Sequence, residues 1–356
     1  GTAFKHNRAG LDGGAVHLVA PGKPITSAGS IFIGNTATVN GGAIHSYQGD
    51  WTSTGDHYKE NTAVLGSGGA LSMTAGHLNF DATTTCQNNR AINGGGGCLI
   101  WESEAKNIED VKWALFKPNI NNMQLIGNNN ALFGPSLATP GVSLRIVNLT
   151  TVTTNEENIL SPYPVVELLD LYGGVVQGLL TNGVEITAEL VNKDQVQLFG
   201  AIQSKVKVDG EVQFVGLGLQ GSPGSGPHNV YFRSGSNESD STRRFLRTLE
   251  SIPIFLKVCP QNEYLDGDQC SKCQSLSSAP AGSTSSNDCV CDVGFYLDSQ
   301  DCKSCPLNSK LKLNVTNGTS STACRCNENY YSELNENQLT CNKCQPFSAA
   351  PTGSTS

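Results

Sequence analysis

The chain has 356 residues, of which 15% are charged, and a formal net charge of -8. This acidic balance argues against nucleic acid as a partner, because a phosphate-binding surface needs clustered Lys and Arg. No apolar run approaches the ~18 residues that a membrane-spanning helix requires, so we expect no membrane span in this segment. The length allows roughly two or three domains.

One short sequence block recurs through the first part of the chain. Copies begin at Phe4, Phe32, Tyr58 and Cys86, which are 28, 26 and 28 residues apart, and a degraded copy begins at Leu125. Each copy has a large apolar residue or Cys, an Asn three positions later, and then a Gly-Gly pair followed by a small and an aliphatic residue. Such a repeat cannot bury a core alone, so the copies must stack. Abundant Gly, Asn and Thr without helical periodicity favour the coils of a parallel β-solenoid.

Stacking of the copies predicts two ladders of identical positions. The inward apolar column would contain Phe4, Phe32, Tyr58, Cys86 and Leu125. An amide ladder at one corner, bonding backbone groups that the bend leaves unpaired, would contain Asn7, Asn35, Asn61, Asn89 and Asn128. We therefore expect residues 1–136 to form a right-handed parallel β-helix of about five coils.

The block FIGNTATVNGGAI at residues 32–44 resembles the Pmp repeat of the polymorphic outer-membrane proteins, whose F-x-x-N and G-G-A-[ILV] signatures it carries. The resemblance implies a β-helical, surface-exposed segment like that of bacterial adhesins. Similar repeats occur in large extracellular proteins of algae and other protists. It implies no particular ligand, because the motif residues build the coil.

Two further pairs fall at equivalent or facing positions of the coils. Cys86 and Cys98 occupy inward positions of one coil, which predicts a disulfide, with two buried thiols as the alternative. His17 and His45 lie one coil apart, and strands stacked at ~4.8 Å would bring them together as a metal pair. The next coils have Ser72 and Ile100 at this position, so we expect an exposed polar ladder and no metal or cofactor.

Residues 137–258 lose the repeat and show short alternating segments between turn signals. The seven candidate strands are 143–147, 164–170, 184–191, 196–200, 211–219, 228–234 and 253–258. This number of strands predicts an antiparallel β-sandwich. The sequence PVVELLDLYGGVV, together with the later GEVQF, resembles immunoglobulin-like modules of cell-surface proteins. A second small solenoid-like sheet is the alternative.

Residues 259–356 form a cysteine-rich region in which C-x-x-C and C-x-C pairs alternate. Zinc ribbons need paired C-x-x-C knuckles, so small repeats held by disulfides are favoured over a zinc site. The spacing predicts the bonds Cys259–Cys270, Cys273–Cys289, Cys291–Cys302, Cys305–Cys324 and Cys326–Cys341. The sequence CDVGFYLDSQDCKSC resembles ephrin-receptor-like and tumour-necrosis-factor-receptor-like cysteine-rich repeats. Because CQPFSAAPTGSTS repeats CQSLSSAPAGSTS, we expect the partner of Cys344 to lie beyond Ser356.

The thirteen cysteines indicate an oxidising compartment. Four N-x-[ST] sequons agree with a secretory route and predict N-linked glycans at Asn148, Asn237, Asn314 and Asn317. We therefore expect a secreted glycoprotein, extracellular or at the cell surface. Gly1 begins in mid-repeat, so we also expect a fragment or mature segment of a longer protein.

Catalysis was tested because β-helices include polysaccharide lyases. Those enzymes need clustered carboxylates on adjacent coils. The carboxylates of the repeat region, Asp12, Asp50, Asp56 and Asp81, fall at different phases of the repeat. No nucleophile elbow, phosphate-binding loop or His-Glu metal motif is present in the sequence. We expect no catalytic residue and no enzyme activity.

Three functions fit the sequence in decreasing order. The first is a structural protein, a segment of a large extracellular glycoprotein that assembles, with itself or with other filament subunits, into a filament, flagellar hair (mastigoneme) or surface coat. The second is an adhesin or receptor ectodomain that binds carbohydrate or protein, for which Trp51 with Tyr47, or Trp101 with Trp113, would form a sugar-stacking patch. The third is a polysaccharide lyase-like enzyme.

Overall fold

A computed structural model describes most of the chain, and its described residues are 1–102, 125–147, 152–154, 158–191, 196–234, 246–247, 251–299, 301–312, 320–335, 338–346 and 348–355. They are almost entirely β-structure. Within these ranges the helical segments are three short 3-10 turns at Gly178–Thr181, Ser286–Asp288 and Ser321–Ala323. The all-β prediction is confirmed: parallel coils come first, and antiparallel sheets and disulfides follow.

The first unit is a stack of coils built from short strands. The first coil contains β1 (Ala3–Lys5), β2 (Arg8–Ala9), β3 (Val16–Val19) and β4 (Ile25–Ala28). The second contains β5 (Ile31–Ile33), β6 (Thr36–Ala37), β7 (Ile44–Tyr47) and β8 (Trp51–Thr54). The third contains β9 (His57–Lys59), β10 (Thr62–Ala63), β11 (Leu71–Thr74) and β12 (Leu78–Phe80). The last two contain β13 (Thr85–Gln87), β14 (Arg90–Gly95) and β15 (Leu99–Glu102), then β16 (Leu125–Gly127), β17 (Asn130–Phe133) and β18 (Leu137–Ala138).

Equivalent strands of successive coils pair in parallel and form four sheets. Their orders are β1-β5-β9-β13-β16, β2-β6-β10-β14-β17, β3-β7-β11-β15-β18 and β4-β8-β12. From β1 to β16 the chain therefore makes about four turns, which join the five repeat copies that the sequence contains. The sequence period is the length of one turn.

The interior is filled by a column of aromatic rings. Phe4 stacks on Phe32 with ring centroids 4.8 Å apart, and Phe32 stacks on Tyr58 at 5.0 Å. Phe32 and Tyr58 are fully buried, as is Cys86, which pairs with Tyr58 in the register. Removing one such buried ring costs ~3–5 kcal/mol, so this column contributes much of the stability of the solenoid.

The last rung of this column differs from the sequence prediction. Ile126, and not Leu125, pairs with Cys86, while Leu125 pairs with Thr85. The degraded copy has apolar residues at both positions, so its pattern fits two registers one residue apart. Such a shift exchanges the two faces of a strand, and the backbone pairing with β13 decides which register forms.

The antiparallel sheets follow the solenoid. Their strands are β19 (Ser143–Ile146), β20 (Val152–Thr154), β21 (Leu160–Ser161), β22 (Val165–Leu169), β23 (Glu185–Leu190), β24 (Gln197–Phe199), β25 (Gln203–Lys205), β26 (Glu211–Gln213), β27 (Gly218–Gln220), β28 (His228–Ser234), β29 (Leu246–Arg247) and β30 (Ile252–Phe255). They form the sheets β19-β22-β26, β24-β27 and β21-β20-β30-β28-β23-β25, with β29 paired to β28. Only the β20–β30 pair is parallel among the described pairs of this region.

This region contains more strands than the seven that the sequence predicts. The predicted strand over 211–219 is divided into β26 and β27, and Gly216 between them has a positive φ of 79°. The additional strands β21 and β25 have two and three residues. Segments this short carry no alternation of apolar and polar residues, so the sequence pattern does not reveal them.

The core of the antiparallel sheets is continuous with the end of the solenoid. Ile100, Phe133 and Ala138, which belong to the last coils, lie in one buried cluster with residues such as Val176 and Phe214. The predicted division of the chain at residues 136 and 258 stays a prediction. The packing joins the two β-units through the outer face of the last coils.

The cysteine-rich region consists of two-stranded antiparallel sheets. They pair β31 (Glu263–Asp266) with β32 (Gln269–Lys272), β33 (Ser277–Ser278) with β34 (Val290–Cys291), β35 (Phe295–Asp298) with β36 (Asp301–Ser304), β37 (Ser309–Leu311) with β38 (Cys324–Cys326), and β39 (Tyr330–Asn335) with β40 (Gln338–Lys343). Their largest buried cluster contains Tyr296, Cys324 and Leu339. Sheets with so small a core depend on covalent cross-links for stability.

Candidate functional site

The first candidate site is the amide ladder at the corner between the first and second sheets. Asn35 Nδ2 donates to the Phe4 carbonyl oxygen at 3.0 Å and to Asn61 Oδ1 at 2.9 Å, and the Asn35 backbone N–H donates to the same Oδ1 at 3.0 Å. Asn61 makes the same three bonds, each 2.9 Å long, to Asn89 and to the Phe32 carbonyl. These Asn side chains are buried. Each rung thus satisfies backbone groups that the bend removes from the sheets.

The predicted last rung of this ladder, Asn128, is wrong. Asn89 donates from its backbone N–H to Asn129 Oδ1 at 2.9 Å and from Nδ2 to the same oxygen at 3.1 Å. Asn128 has a φ of 53°, as Asn88 has one of 55° before its own ladder residue. The bend needs a left-handed residue just before the ladder Asn. In a run of three asparagines the sequence pattern cannot distinguish the two roles.

A second ladder, which the sequence analysis missed, lies just before the Gly-Gly pairs. The Asn40 backbone N–H donates to Asp12 Oδ1 at 2.8 Å, and the Ser67 N–H donates to Asn40 Oδ1 at 3.0 Å. The Gly95 N–H donates to Ser67 Oγ at 3.1 Å. The signal was present as a polar residue directly before Gly-Gly in three of the copies.

The remaining carboxylates of the solenoid also lie at corners. Asp56 is buried and accepts from the Ser30 backbone N–H at 2.7 Å and from Ser53 Oγ at 2.6 Å. Asp50 accepts from the His77 backbone N–H at 2.8 Å, and this bond lowers the pKa of Asp50. These contacts give the carboxylates a structural role in the coil.

Asp81 is the most strongly hydrogen-bonded of these carboxylates. Its oxygens accept from Thr83 Oγ1 at 2.6 Å, from the Gly55 backbone N–H at 2.9 Å and from Thr84 Oγ1 at 2.7 Å. The bond from Thr83, followed by those from Gly55 and Thr84, lowers the pKa of Asp81 below its ordinary range. The charged form of Asp81 therefore holds the turn between β12 and β13.

The tryptophans do not form the predicted sugar-stacking patch at Trp51 and Tyr47. Trp51 is 4% exposed, packs edge-on against Phe32 and donates from Nε1 to Tyr58 Oη at 3.2 Å, whereas Tyr47 is 42% exposed. The two residues lie on opposite faces, because Trp51 begins a strand on the next side of the coil. Trp101 is 2% exposed and donates to Tyr172 Oη at 3.0 Å, and its predicted partner at position 113 lies outside the described residues.

His17 and His45 occupy paired positions of β3 and β7, as the repeat predicts. Their rings stack with centroids 5.1 Å apart. His17 is exposed and His45 is half-buried. Burial lowers the pKa of His45, and the nearby carboxylate of Asp12 opposes this effect. The carboxylate of Asp12 is a neighbour that the repeat spacing alone does not place there.

Six disulfides are present in the described part of the chain. Cys86–Cys98 crosses the interior of the fourth coil. The other five, which have the pairings that the spacing predicts, are Cys259–Cys270, Cys273–Cys289, Cys291–Cys302, Cys305–Cys324 and Cys326–Cys341. Cys344 is a free thiol that follows β40 as Cys273 follows β32. The four sequon residues Asn148, Asn237, Asn314 and Asn317 lie outside the described residues.

The fold and its ladders define a parallel β-solenoid protein with a disulfide-rich C-terminal region. Within that class, the family model of the Chlamydia polymorphic membrane protein repeat matches residues 29–47, which include β5, β6 and β7. The chain is similar to that repeat over these residues. Comparison with curated proteins gives no match, and comparison with solved structures gives none either. Among the described residues, no helix has the length and apolar character needed to cross a membrane.

Proposed function

We propose that this chain is a non-catalytic structural segment of a large extracellular glycoprotein that assembles into a filament, a flagellar hair (mastigoneme) or a cell-surface coat. The observation that carries the proposal is the use of the polar side chains of the solenoid. Asn35, Asn61 and Asn89 are buried and bonded from coil to coil. A surface that binds a small ligand would instead direct such groups towards a pocket.

The positions of the carboxylates support a non-catalytic role. Each of the four that a lyase-like enzyme would use accepts a backbone N–H from a neighbouring coil, the pairs being Asp12 with Asn40, Asp50 with His77, Asp56 with Ser30, and Asp81 with Gly55. Acid-base catalysis needs two such groups facing one substrate bond. Here the carboxylates are distributed over different corners of the coil.

The cysteine-rich region supports an extracellular location and a mechanical role. Disulfides persist in oxidising environments, and each contributes ~2–4 kcal/mol to a segment with little core. In this proposal the solenoid is a rigid spacer, the antiparallel sheets are an immunoglobulin-like joint, and the disulfide-linked sheets are a stiff rod. N-linked glycans would cover loops of the same assembly.

Electron microscopy of the native material tests the proposal. An antibody raised against residues 1–102, which contain the solenoid, should label regular filaments or hairs at a constant axial interval. The same antibody absorbed with the recombinant chain is the matched control and should leave the filaments unlabelled. Monodisperse particles that bind a glycan or protein saturably would contradict the structural function.

The second candidate is a surface adhesin or receptor ectodomain, and the match of residues 29–47 to a membrane-protein repeat favours it. A glycan array and a pull-down from cell-surface extracts separate it from the filament function, since an adhesin should retain its ligand as a monomer. The third candidate, a polysaccharide lyase-like enzyme, would release unsaturated sugars from acidic polysaccharides. We expect no such product.

A further inference from the structure

Three side chains with metal-binding groups converge on the outer surface of the first two coils. Asp12 lies at the corner before β3, His17 lies in β3, and His45 lies in β7. One ligand atom from each of these residues lies within 4.8 Å of the others. The group combines two coils and a corner, so it exists only in the stacked fold.

Two of these residues have groups that no other described residue uses. His45 Nδ1 is buried and has no hydrogen-bond partner among the described residues. Asp12 accepts the Asn40 backbone N–H through Oδ1 at 2.8 Å, which fixes the carboxylate and leaves Oδ2 without a printed bond inside the described chain. A buried polar nitrogen without a partner is an exception in folded proteins and indicates a missing ligand.

We propose that Asp12, His17 and His45 bind one divalent transition-metal cation, for which Zn²⁺ is the test ion. Two imidazole nitrogens and one carboxylate oxygen are a donor set that zinc takes, with the fourth position left to water or to a group from another molecule. Bonds of ~2.0–2.1 Å require the ligand atoms to approach each other more closely than 4.8 Å. Rotation of the exposed His17 side chain brings its nitrogen closer.

The remaining coils limit this site to one per chain. The positions after His45 in the same row are Ser72 and Ile100. Neither Ser72 nor Ile100 supplies a nitrogen ligand. The bound ion would therefore join the first two coils of the solenoid and no others. This inference concerns a local binding site, and it does not depend on the proposed filament function.

Calorimetric titration of Zn²⁺ into the full chain tests the site. All proteins carry Cys344→Ser, because a free thiol would compete for zinc. We expect one bound Zn²⁺ per chain and a loss of affinity of at least ~100-fold in Asp12→Asn and in His45→Ser, since even outer contacts of metal sites are worth ~10–100-fold. Asn and Ser already occupy these positions in the neighbouring coils, so both variants should fold.

His77→Asn is the matched control. His77 and Asp50 also pair across two coils, with Nδ1 and Oδ1 2.9 Å apart, but they have no third ligand in the described structure. This variant should bind Zn²⁺ with unchanged affinity. Co²⁺ provides a second readout, because a tetrahedral Co²⁺ site absorbs visible light and this band should disappear in Asp12→Asn. Equal Zn²⁺ affinity in His45→Ser and the parent, or no saturable binding by the parent, would overturn the proposal.

Discussion

At the residue scale, hydrogen bonding by the side chains of Asn and Asp explains why these residues recur in the repeat. A coil must bend at each corner, and the bend removes backbone groups from the parallel ladders. Asn61 replaces the missing partners of the Asn35 N–H and the Phe32 carbonyl. Glycine or alanine at this position would leave both groups buried and unpaired, which is costly in a protein interior.

Asn61→Ala should therefore destabilise the solenoid strongly. Two buried backbone groups lose their partners, at ~1–3 kcal/mol each, so the free energy of unfolding should fall by about 3 kcal/mol. Asn7→Ala is the control, because Asn7 is exposed and its N–H still donates to Asn35 Oδ1 at 3.0 Å. Urea denaturation of the two variants gives the comparison. Equal losses in both would show that burial of the ladder is not what stabilises it.

At the element scale, each turn between strands is fixed by a side chain that accepts backbone N–H groups. The turn between β12 and β13 depends on Asp81 in its charged form, because its bonds from Thr83, Gly55 and Thr84 lower its pKa. A carboxyl group whose pKa is lower in the folded state stabilises the fold above its ordinary pKa of ~3.9. That stabilisation is lost as the pH falls through the lower folded-state pKa.

Asp81→Asn should thus lower the melting temperature of the solenoid at pH 7. The difference between the variant and the parent should shrink as the pH falls below ~4, because protonation removes the same charge from the parent. Melting curves at several pH values between neutrality and pH 2 measure this. Two curves that remain parallel over the whole range would exclude the charged carboxylate as the cause.

At the scale of the whole molecule, two kinds of stabilisation occur along one chain. The solenoid has a large buried cluster that includes Phe32, Tyr58 and Trp101, and the antiparallel sheets continue from its outer face through Ile100. The cysteine-rich region has a small cluster around Tyr296 and is held by five disulfides. The two parts should therefore respond differently to a reductant.

Mild reduction should unfold the cysteine-rich sheets and leave the solenoid folded. Each lost bond removes ~2–4 kcal/mol from sheets that have few buried residues. Cys86 and Cys98 are fully buried, so their disulfide should react last. Hydrogen exchange before and after reduction should show loss of protection within 259–346 and retention within 1–102. Protection that persists in the cysteine-rich sheets would mean that packing, and not the disulfides, maintains them.

The sequence by itself determined the solenoid, the apolar column and the disulfide pairings. Repeats of constant length place identical residues in register, and short cysteine spacings leave few pairings that the chain can close. Only the tertiary structure decided between Asn128 and Asn129, and between Leu125 and Ile126, because neighbouring residues of the same type fit either register until the backbone pairs. It also decided that Trp51 is buried and that Asp12 lies beside His17 and His45. Those contacts cross from one coil or corner to the next, and spacing along the chain does not specify the distance between side chains there.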